Sequence, residues 1–430
     1  MDKKNVLIFP ANVNSVEIYN SLKYNLHFDV YGACAIEDHS KFHFPKDKFI
    51  VSKKFYITDV DFFETLEKII KKWNIDFIIP SHDTIALFLI KNQKRIPAIV
   101  VCSPEKTARV AENKKLMYEA LKNEKYYPKV YDSITEVEYP SFLKPYVAAG
   151  SKGTVKVNNE EELKNALQKR DDLLICEYLP GEEYTVDCFT NRERKLLFVG
   201  ARTRERITNG ITFHSERIQL SKEIYDIAID LNNKFEFRGA WFFQLKKDAN
   251  GNLKFMEFSV RQAGTMTFYR QLGVNFSLLS LFDFMELPVQ ILFNDLDLKL
   301  DRGMRTLYDI SYEYDTIYLD YDDTLIINDR VNSTLMRLIY QAHNKKKKIC
   351  LLTKHIGDLK ESLDSHFLSE NIFDEIIIID PNKKKSDYIK SDGAIFIDNY
   401  FPERANVLEK CSIPVFDVDA VECLIYEKEL

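Results

Sequence analysis

The sequence predicts a multi-domain α/β protein. Its 430 residues exceed what one hydrophobic core organises, and a prior of about 150 residues per domain gives roughly two to four units. At both ends, apolar runs of buried-strand length alternate with stretches of helical spacing, the pattern of parallel βαβ units. Between them lies a stretch of different texture, with glycine-bearing loops and a hairpin turn.

Residues 1–105 make the first unit. Val6–Phe9, Phe77–Pro80 and Ile96–Cys102 read as buried strands, and Phe62–Trp73 has helical spacing. Residues 106–302 make the second. Thr107–Asn123 reads as one helix, Glu160–Gln168 as another and Leu173–Glu177 as a strand, while Asp248–Gly251 is a turn between two further strands. Residues 295–315 are charged and aperiodic, which places a boundary near 302. In 303–430 the alternation resumes: strand Thr316–Leu319, helix 332–345, strand 349–352, helix 357–366, strands 375–379 and 394–397, helix 402–410 and strand 414–416.

Composition narrows the function classes. Hydrophobic residues at 45% and charged residues at 29% fit a soluble globular protein, and a net charge of -6 does not suggest a nucleic-acid partner. The seven cysteines are scattered without a C-x-x-C pair, so a zinc site or disulfide framework is not expected and a cytoplasmic location is. The first apolar run is too short for a signal peptide, and the apolar stretch 276–293 is broken by Asp283, Glu286 and Pro288, so no membrane segment is expected. The runs Lys345–Lys348 and Lys383–Lys385 read as solvated ends of elements.

Two groups of residues carry chemistry. In the first, Lys144 ends an apolar strand and the loop Gly150-Ser151-Lys-Gly153 follows, so an amine and flexible backbone N–H groups can meet phosphates. Cys176-Glu177-Tyr178-Leu179-Pro-Gly-Glu-Glu183 is a strand, turn and strand able to offer backbone groups to a base and a carboxylate to ribose. Gln244 and Glu257 sit on the two strands flanking the 248–251 turn, and Glu257, Ser259 and Arg261 alternate onto one face. Oxygen donors beside a guanidinium suit metal-bridged phosphates. Arg202, Arg204 and Arg206 supply guanidiniums that can fork onto a carboxylate, or simply line an exposed strand and loop, and His214 reads as structural.

In the second group, Asp320-Tyr-Asp322-Asp-Thr324 directly follows a strand. Two carboxylates two residues apart can divide the work of attack and proton transfer. Thr353, Lys385 and Asp398 lie at or near later strand ends, the edge of a parallel sheet where α/β sites assemble. From Asp320 to Thr353 is 33 residues and from Lys385 to Asp398 is 13, too few for a cap domain.

The ordered series over residues 1 to about 300 resembles the ATP-grasp superfamily, most closely the nucleotide domains of the carbamoyl phosphate synthetase large subunit. Residues 303–430 resemble the haloacid-dehalogenase superfamily through the Asp-x-Asp-x-Thr box. The first resemblance implies a Rossmann-like pre-ATP-grasp domain over 1–105, with Asn113-Lys114 in place of the family's Asp-Lys step, and an ATP-grasp domain over 106–302. Lys114 and Lys144 would bind phosphates, with Ser151 and Gly153 in the closing loop. Glu177, Tyr178 and Leu179 would form the adenine hinge, and Glu183 would meet ribose. Gln244, Glu257 and Ser259 would hold the metal, and Arg261 would steady the transferred phosphoryl group. The second resemblance implies a small, capless parallel-sheet domain with Asp320 as nucleophile, Asp322 as general acid/base, Thr353 and Lys385 on the phosphate, and Asp398 joining Asp320 and Asp322 as Mg²⁺ ligand.

The implied protein is bifunctional: an ADP-forming carboxylate–amine ligase acting through an acyl phosphate, and a phosphatase for a related phosphomonoester. ATP and Mg²⁺, with Mn²⁺ as a substitute, are the implied cofactors. Small-molecule acids and amines are the partners, without nucleic acid or membrane, and a homodimer is the commonest assembly. Ser259, where the family commonly has Asn, and Asn399, where a second acid is common, favour the alternative of a nucleotide- or phosphate-binding protein with a degenerate site. A third reading makes residues 1–300 the specificity module of the phosphatase.

Overall fold

The computed structural model describes residues 2–148, 150, 152–208, 210–303, 305–390 and 393–427. It divides into two compact units, 1–304 and 305–430, both of mixed α/β architecture.

The first unit opens with a five-stranded parallel sheet in the order Phe49–Val51, Phe28–Cys34, Lys4–Phe9, Phe77–Pro80, Ile99–Val100. The central strand sends Leu7 and Phe9 into one core and Val6 and Ile8 into another, which explains its unbroken apolar run. Ile96–Cys102, expected to be one strand, pairs only at Ile99–Val100. Pro97 lacks the N–H that a longer ladder needs. Helix Phe62–Trp73 buries Phe62, Leu66, Ile69, Ile70 and Trp73, one stripe at helical spacing, and stops at left-handed Asn74.

The single helix expected over Thr107–Asn123 is two, Glu105–Glu112 and Lys114–Leu121. Asn113 is extended between them, and its side-chain oxygen accepts the amides of Lys115 and Leu116. Asn is a strong N-cap, so the break is local chemistry, and it makes Lys114 the first residue of the second helix.

Two antiparallel sheets follow. One runs Val155–Val157, Ser141–Pro145, Leu173–Glu177; the other runs Leu196–Thr203, Glu183–Thr190, Gly239–Lys247, Leu253–Ser259. Behind the second, Trp241 stacks on Phe237 at 3.8 Å, and helix Lys222–Lys234 buries Ile224, Ile227, Ala228 and Leu231. Such a ring pair adds about 0.5–1.5 kcal/mol beyond its buried area. Hairpin Glu205–Thr208/Ile211–Glu216 is joined at its second strand by Lys299–Asp301.

The second unit is a parallel sheet ordered Glu375–Ile378, Lys348–Thr353, Thr316–Leu319, Ala394–Ile397, Val415–Phe416. A small hairpin, Ile326–Ile327 with Arg330–Val331, turns through Asn328 and Asp329, both at positive φ as a type I′ turn requires. Among the described residues, no helix is long and apolar enough to cross a membrane.

Candidate functional site

In the first unit the site is built across a β-bulge. From the turn upward, Lys247 pairs with Leu253, Lys246 with Lys254 and Leu245 with Phe255; then the register shifts and Gln244 pairs with Glu257. Unbroken alternation from core-facing Phe255 would send Glu257 into the core and Phe258 out of it. The extra residue, Met256, reverses this: Phe258 is buried, and Glu257 lines the same cavity as Gln244. Bulges next to functional sites commonly re-aim a side chain in this way.

That cavity, about 230 Å³, is bounded by Lys114, Lys144, the chain from Glu177 to Leu179, Glu183, Gln244 and Glu257. The Lys114 ammonium donates to the Ala148 carbonyl at 2.9 Å and lies 3.0 Å from the Glu257 carboxylate. Lys144 is buried and donates to the Tyr118 hydroxyl at 3.0 Å, which donates to the Met256 carbonyl at 2.8 Å. Burial pushes the Glu257 carboxyl up, but Lys114, then Lys144 and Arg204, outweigh it and hold the group below its ordinary range. Glu177 accepts the Lys129 amide at 2.7 Å, and its own amide donates to the Lys129 carbonyl at 2.8 Å, which fixes the hinge. The Lys156 ammonium covers the Tyr178 ring at 4.1 Å. Glu183 is engaged by Arg204 at 2.6 Å and Lys246 at 3.3 Å. Gly153 has φ +74°, and a Cβ there would meet Arg170 at 2.6 Å, so the loop requires glycine at that point. Ser151 lies outside the described residues.

Two expectations change. Arg202 is committed to the protein interior: it is 0% exposed, forks onto Asp187 at 2.7 and 3.2 Å, and donates to Thr265 at 2.8 Å. Asp187, two positions along the paired strand from the residue opposite Arg202, supplies a buried carboxylate whose two oxygens match a fork-shaped cation. Ser259 is also engaged, because its hydroxyl donates to Asp83, whose other oxygen accepts Arg261 Nε at 2.9 Å. Asp83 was missed in the sequence. It follows the strand Phe77–Pro80 closely, and the carboxyl edge of a parallel sheet is the signal that points to it.

In the second unit, Asp320 and Asp398 follow adjacent strands in register, Leu319 opposite Ile397. Lys385 is 3% exposed, with its ammonium 2.6 Å from each carboxylate. Lys383 and Lys384 are exposed, so Lys385 is the one of the three lysines that is buried between the carboxylates. Burial pushes Asp320 up to about 6; Lys385 opposes the rise and Asp398 adds to it. Thr353 is buried and accepts the His355 amide at 3.0 Å. Asp322 is half exposed and held by His355 Nδ1 at 2.9 Å, a partner the sequence did not indicate. Asn399 and Thr324 bond each other, and Glu403 is taken by Lys354 at 2.7 Å and the Lys385 amide at 3.3 Å.

Among the described residues, no group of three or more His, Cys, Asp or Glu side chains is gathered to hold a metal ion. The donor sets still fit Mg²⁺, which keeps several waters and takes one or two carboxylates plus substrate phosphate oxygens. Glu257 with the Gln244 amide is such a set in the first unit. In the second, Lys385 engages one oxygen each of Asp320 and Asp398.

The family described as "ATP-grasp in the biosynthetic pathway with Ter operon" matches residues 169–295. Among solved structures, N5-carboxyaminoimidazole synthetase of Staphylococcus aureus complexed with ADP is similar at TM-score 0.56 and 16% identity, over 68% of this chain and 80% of that one. The biotin carboxylase domain of Hydrogenobacter thermophilus 2-oxoglutarate carboxylase, complexed with MgADP and bicarbonate, gives 0.56 and 16%, over 68% and 73%. An L-amino acid ligase of Bacillus licheniformis gives 0.50 and 17%, over 65% and 74%. No curated protein matches the chain. The family match covers residues 169–295, and the solved structures share the fold over about two thirds of the chain.

Proposed function

We propose that residues 1–304 are an ATP-dependent carboxylate–amine ligase and that residues 305–430 are a phosphatase with an aspartyl nucleophile. One observation carries the first reading. Gln244 stands opposite Glu257 on the wall of the cavity that also holds Lys114, Lys144 and the hinge. The relatives solved with ADP or MgADP support it.

In this reading the backbone of Glu177–Leu179 receives adenine, Glu183 meets ribose, and the two lysines hold phosphates. Gln244 and Glu257 would hold Mg²⁺, which supplies neutralisation of phosphate charge. The Lys114 pair keeps Glu257 ionised and ready. Arg261, aimed by Asp83, steadies the phosphoryl group as the acid's oxygen bonds to the γ-phosphorus and the bond to ADP breaks. The amine nitrogen then attacks the acyl carbon, inorganic phosphate leaves, and the nitrogen loses a proton. The test is ADP release and product mass on screening amino acids and sugar acids with amines, beside Glu257→Gln. The reading fails if no acid raises ADP release above the level of that variant.

The second reading rests on Lys385 between Asp320 and Asp398. Asp320 attacks phosphorus as the bond to the leaving oxygen breaks and Asp322, oriented by His355, protonates that oxygen; Asp322 then takes a proton from water, whose oxygen bonds to phosphorus as the bond to Asp320 breaks and phosphate leaves. Asp320 and Asp398 would hold Mg²⁺, which offsets the repulsion between carboxylate and phosphate. Phosphate release from a phosphomonoester panel at the Asp320→Asn level sinks this reading. A binding-only protein is favoured by one observation, that Ser259 spends its hydroxyl on Asp83. The same ADP measurement separates the two.

A further inference from the structure

Beyond the nucleotide cavity lies a second one of about 960 Å³, sharing the wall made by Arg204, Gln244 and Glu257. It is where an acid would meet the phosphoryl group, since Arg261 also lines it. Its charged side chains are mostly occupied by partners elsewhere in the protein. Arg202 is bound to Asp187, Arg204 to Glu183, Arg261 to Asp83 and Glu257 to Lys114. Asp38 caps the Ser40 amide at 2.8 Å.

Two cations of the lining are exceptions among the described residues, exposed Lys152 and half-buried Arg302, and only Arg302 is withdrawn from water. The backbone places it inward: Lys299–Asp301 pairs with Ile211–Glu216, and the Arg302 amide extends the ladder to the Phe213 carbonyl at 2.8 Å. Alternation then puts Leu300 and Arg302 on the half-buried side, with Lys299 and Asp301 exposed. Among the described residues, its guanidinium has no hydrogen bond and no carboxylate within ion-pair distance. The nearest influential carboxylate, Glu17, gives both oxygens to Arg270 at 2.6 and 3.0 Å. Burial costs Arg302 hydration, and Arg202 adds like-charge repulsion. A half-buried fork-shaped cation without an internal partner, on the wall of a substrate cavity, is complementary to an anion brought from outside.

We propose that Arg302 anchors a second anionic group, carboxylate or phosphate, on the acid substrate, at the end remote from the group that reacts. The proposal rests on the ligase reading and narrows its substrate to acids with two anionic groups. A phosphate at that end would make the substrate or its product a phosphomonoester, the class the second reading hydrolyses.

The test is calorimetric titration of the full chain, with and without MgADP, using propionate, succinate and phosphoglycolate as probes. In the wild type, succinate or phosphoglycolate should bind at least about ten-fold more tightly than propionate. Arg302→Gln should abolish that ratio and Arg302→Lys should restore part of it, each variant first shown to unfold in urea as the wild type does. Preference for phosphoglycolate identifies the remote group as phosphate, and preference for succinate identifies it as carboxylate. A wild-type ratio near one, or a ratio that survives Arg302→Gln, overturns the proposal. Failure to bind MgADP would overturn the nucleotide reading instead, and the probe ratio is still read without nucleotide.

Discussion

Replacing Arg202 by methionine should unfold residues 1–304 far more readily while leaving the site's own chemistry in place. Arg202 and Asp187 are both 0% exposed and are joined by two hydrogen bonds at 2.7 and 3.2 Å. Methionine fills much of the same volume but leaves the Asp187 carboxylate buried without a countercharge. Removing one partner of such a pair costs about 3–5 kcal/mol. At roughly 2–4 °C per kcal/mol for a large domain, the midpoint should fall by on the order of 10 °C. Arg202→Met with Asp187→Leu removes both charges, so the double variant should lose less than Arg202→Met alone.

The chain supplies its own probe for this measurement. Its two tryptophans, Trp73 and Trp241, are both buried and both lie in residues 1–304. Tryptophan fluorescence in urea therefore follows that unit without interference from the other. If Arg202→Met unfolded at the wild-type urea concentration and instead raised the KM for the acid, Arg202 would be a ligand-facing residue and the buried-pair argument would be wrong.

Asp83→Asn should weaken the hold on Ser259 and Arg261 and lower kcat/KM for acid-dependent ADP release roughly ten- to hundred-fold, as loss of a charge-assisted bond implies. Unchanged kinetics would make that contact merely structural. Phosphate release should fall as pH drops through about 6, because the buried Asp320 must lose its proton to act as nucleophile. A bound Mg²⁺ would only move this limb lower, so a kcat/KM limb above about 7 contradicts the assignment. Lys385→Met should leave Asp320 and Asp398 facing each other uncompensated and destabilise residues 305–430 by about 3–5 kcal/mol. Calorimetry would show this as a lowered second transition, with tryptophan fluorescence unmoved.

The elements were largely legible because their signals are local. The stripe of Phe62–Trp73 and the apolar run of Thr316–Leu319 each need only their own residues to declare a helix or a strand. The pairing of Gln244 with Glu257 was only half legible. Phe255 and Phe258, three apart and both buried, hint that strict alternation fails, but only the register shift shows which face Glu257 takes. The break at Asn113 was available as a capping residue and was passed over in favour of helical spacing on both sides. The roles of Arg202 and His355 were not assignable, because each depends on a carboxylate brought near by the fold, and Asp83 was signalled only by its place at a sheet edge. Asp83 reaches residues more than 170 positions away.

Both sites meet the same electrostatic difficulty in the same way. A phosphate binder needs cations out of water, yet a desolvated cation without a countercharge is costly. Here most such cations are matched by a carboxylate of the protein: Lys114 by Glu257, Arg261 by Asp83, Lys385 by Asp320 and Asp398. These carboxylates are also the groups proposed to hold metal or attack phosphorus. One set of contacts therefore holds these cations in place and, at Glu257, favours the ionised carboxylate. On the proposed readings an incoming phosphate would compete with a carboxylate for each cation, and Glu257, Asp320 and Asp398 would be the carboxylates available to hold Mg²⁺. Arg302 stands outside this arrangement, lining the acid cavity with no carboxylate of its own among the described residues. On the proposed readings, the cations meant for phosphate are held in exchangeable pairs, whereas the one assigned to a substrate's remote anion is left open for it.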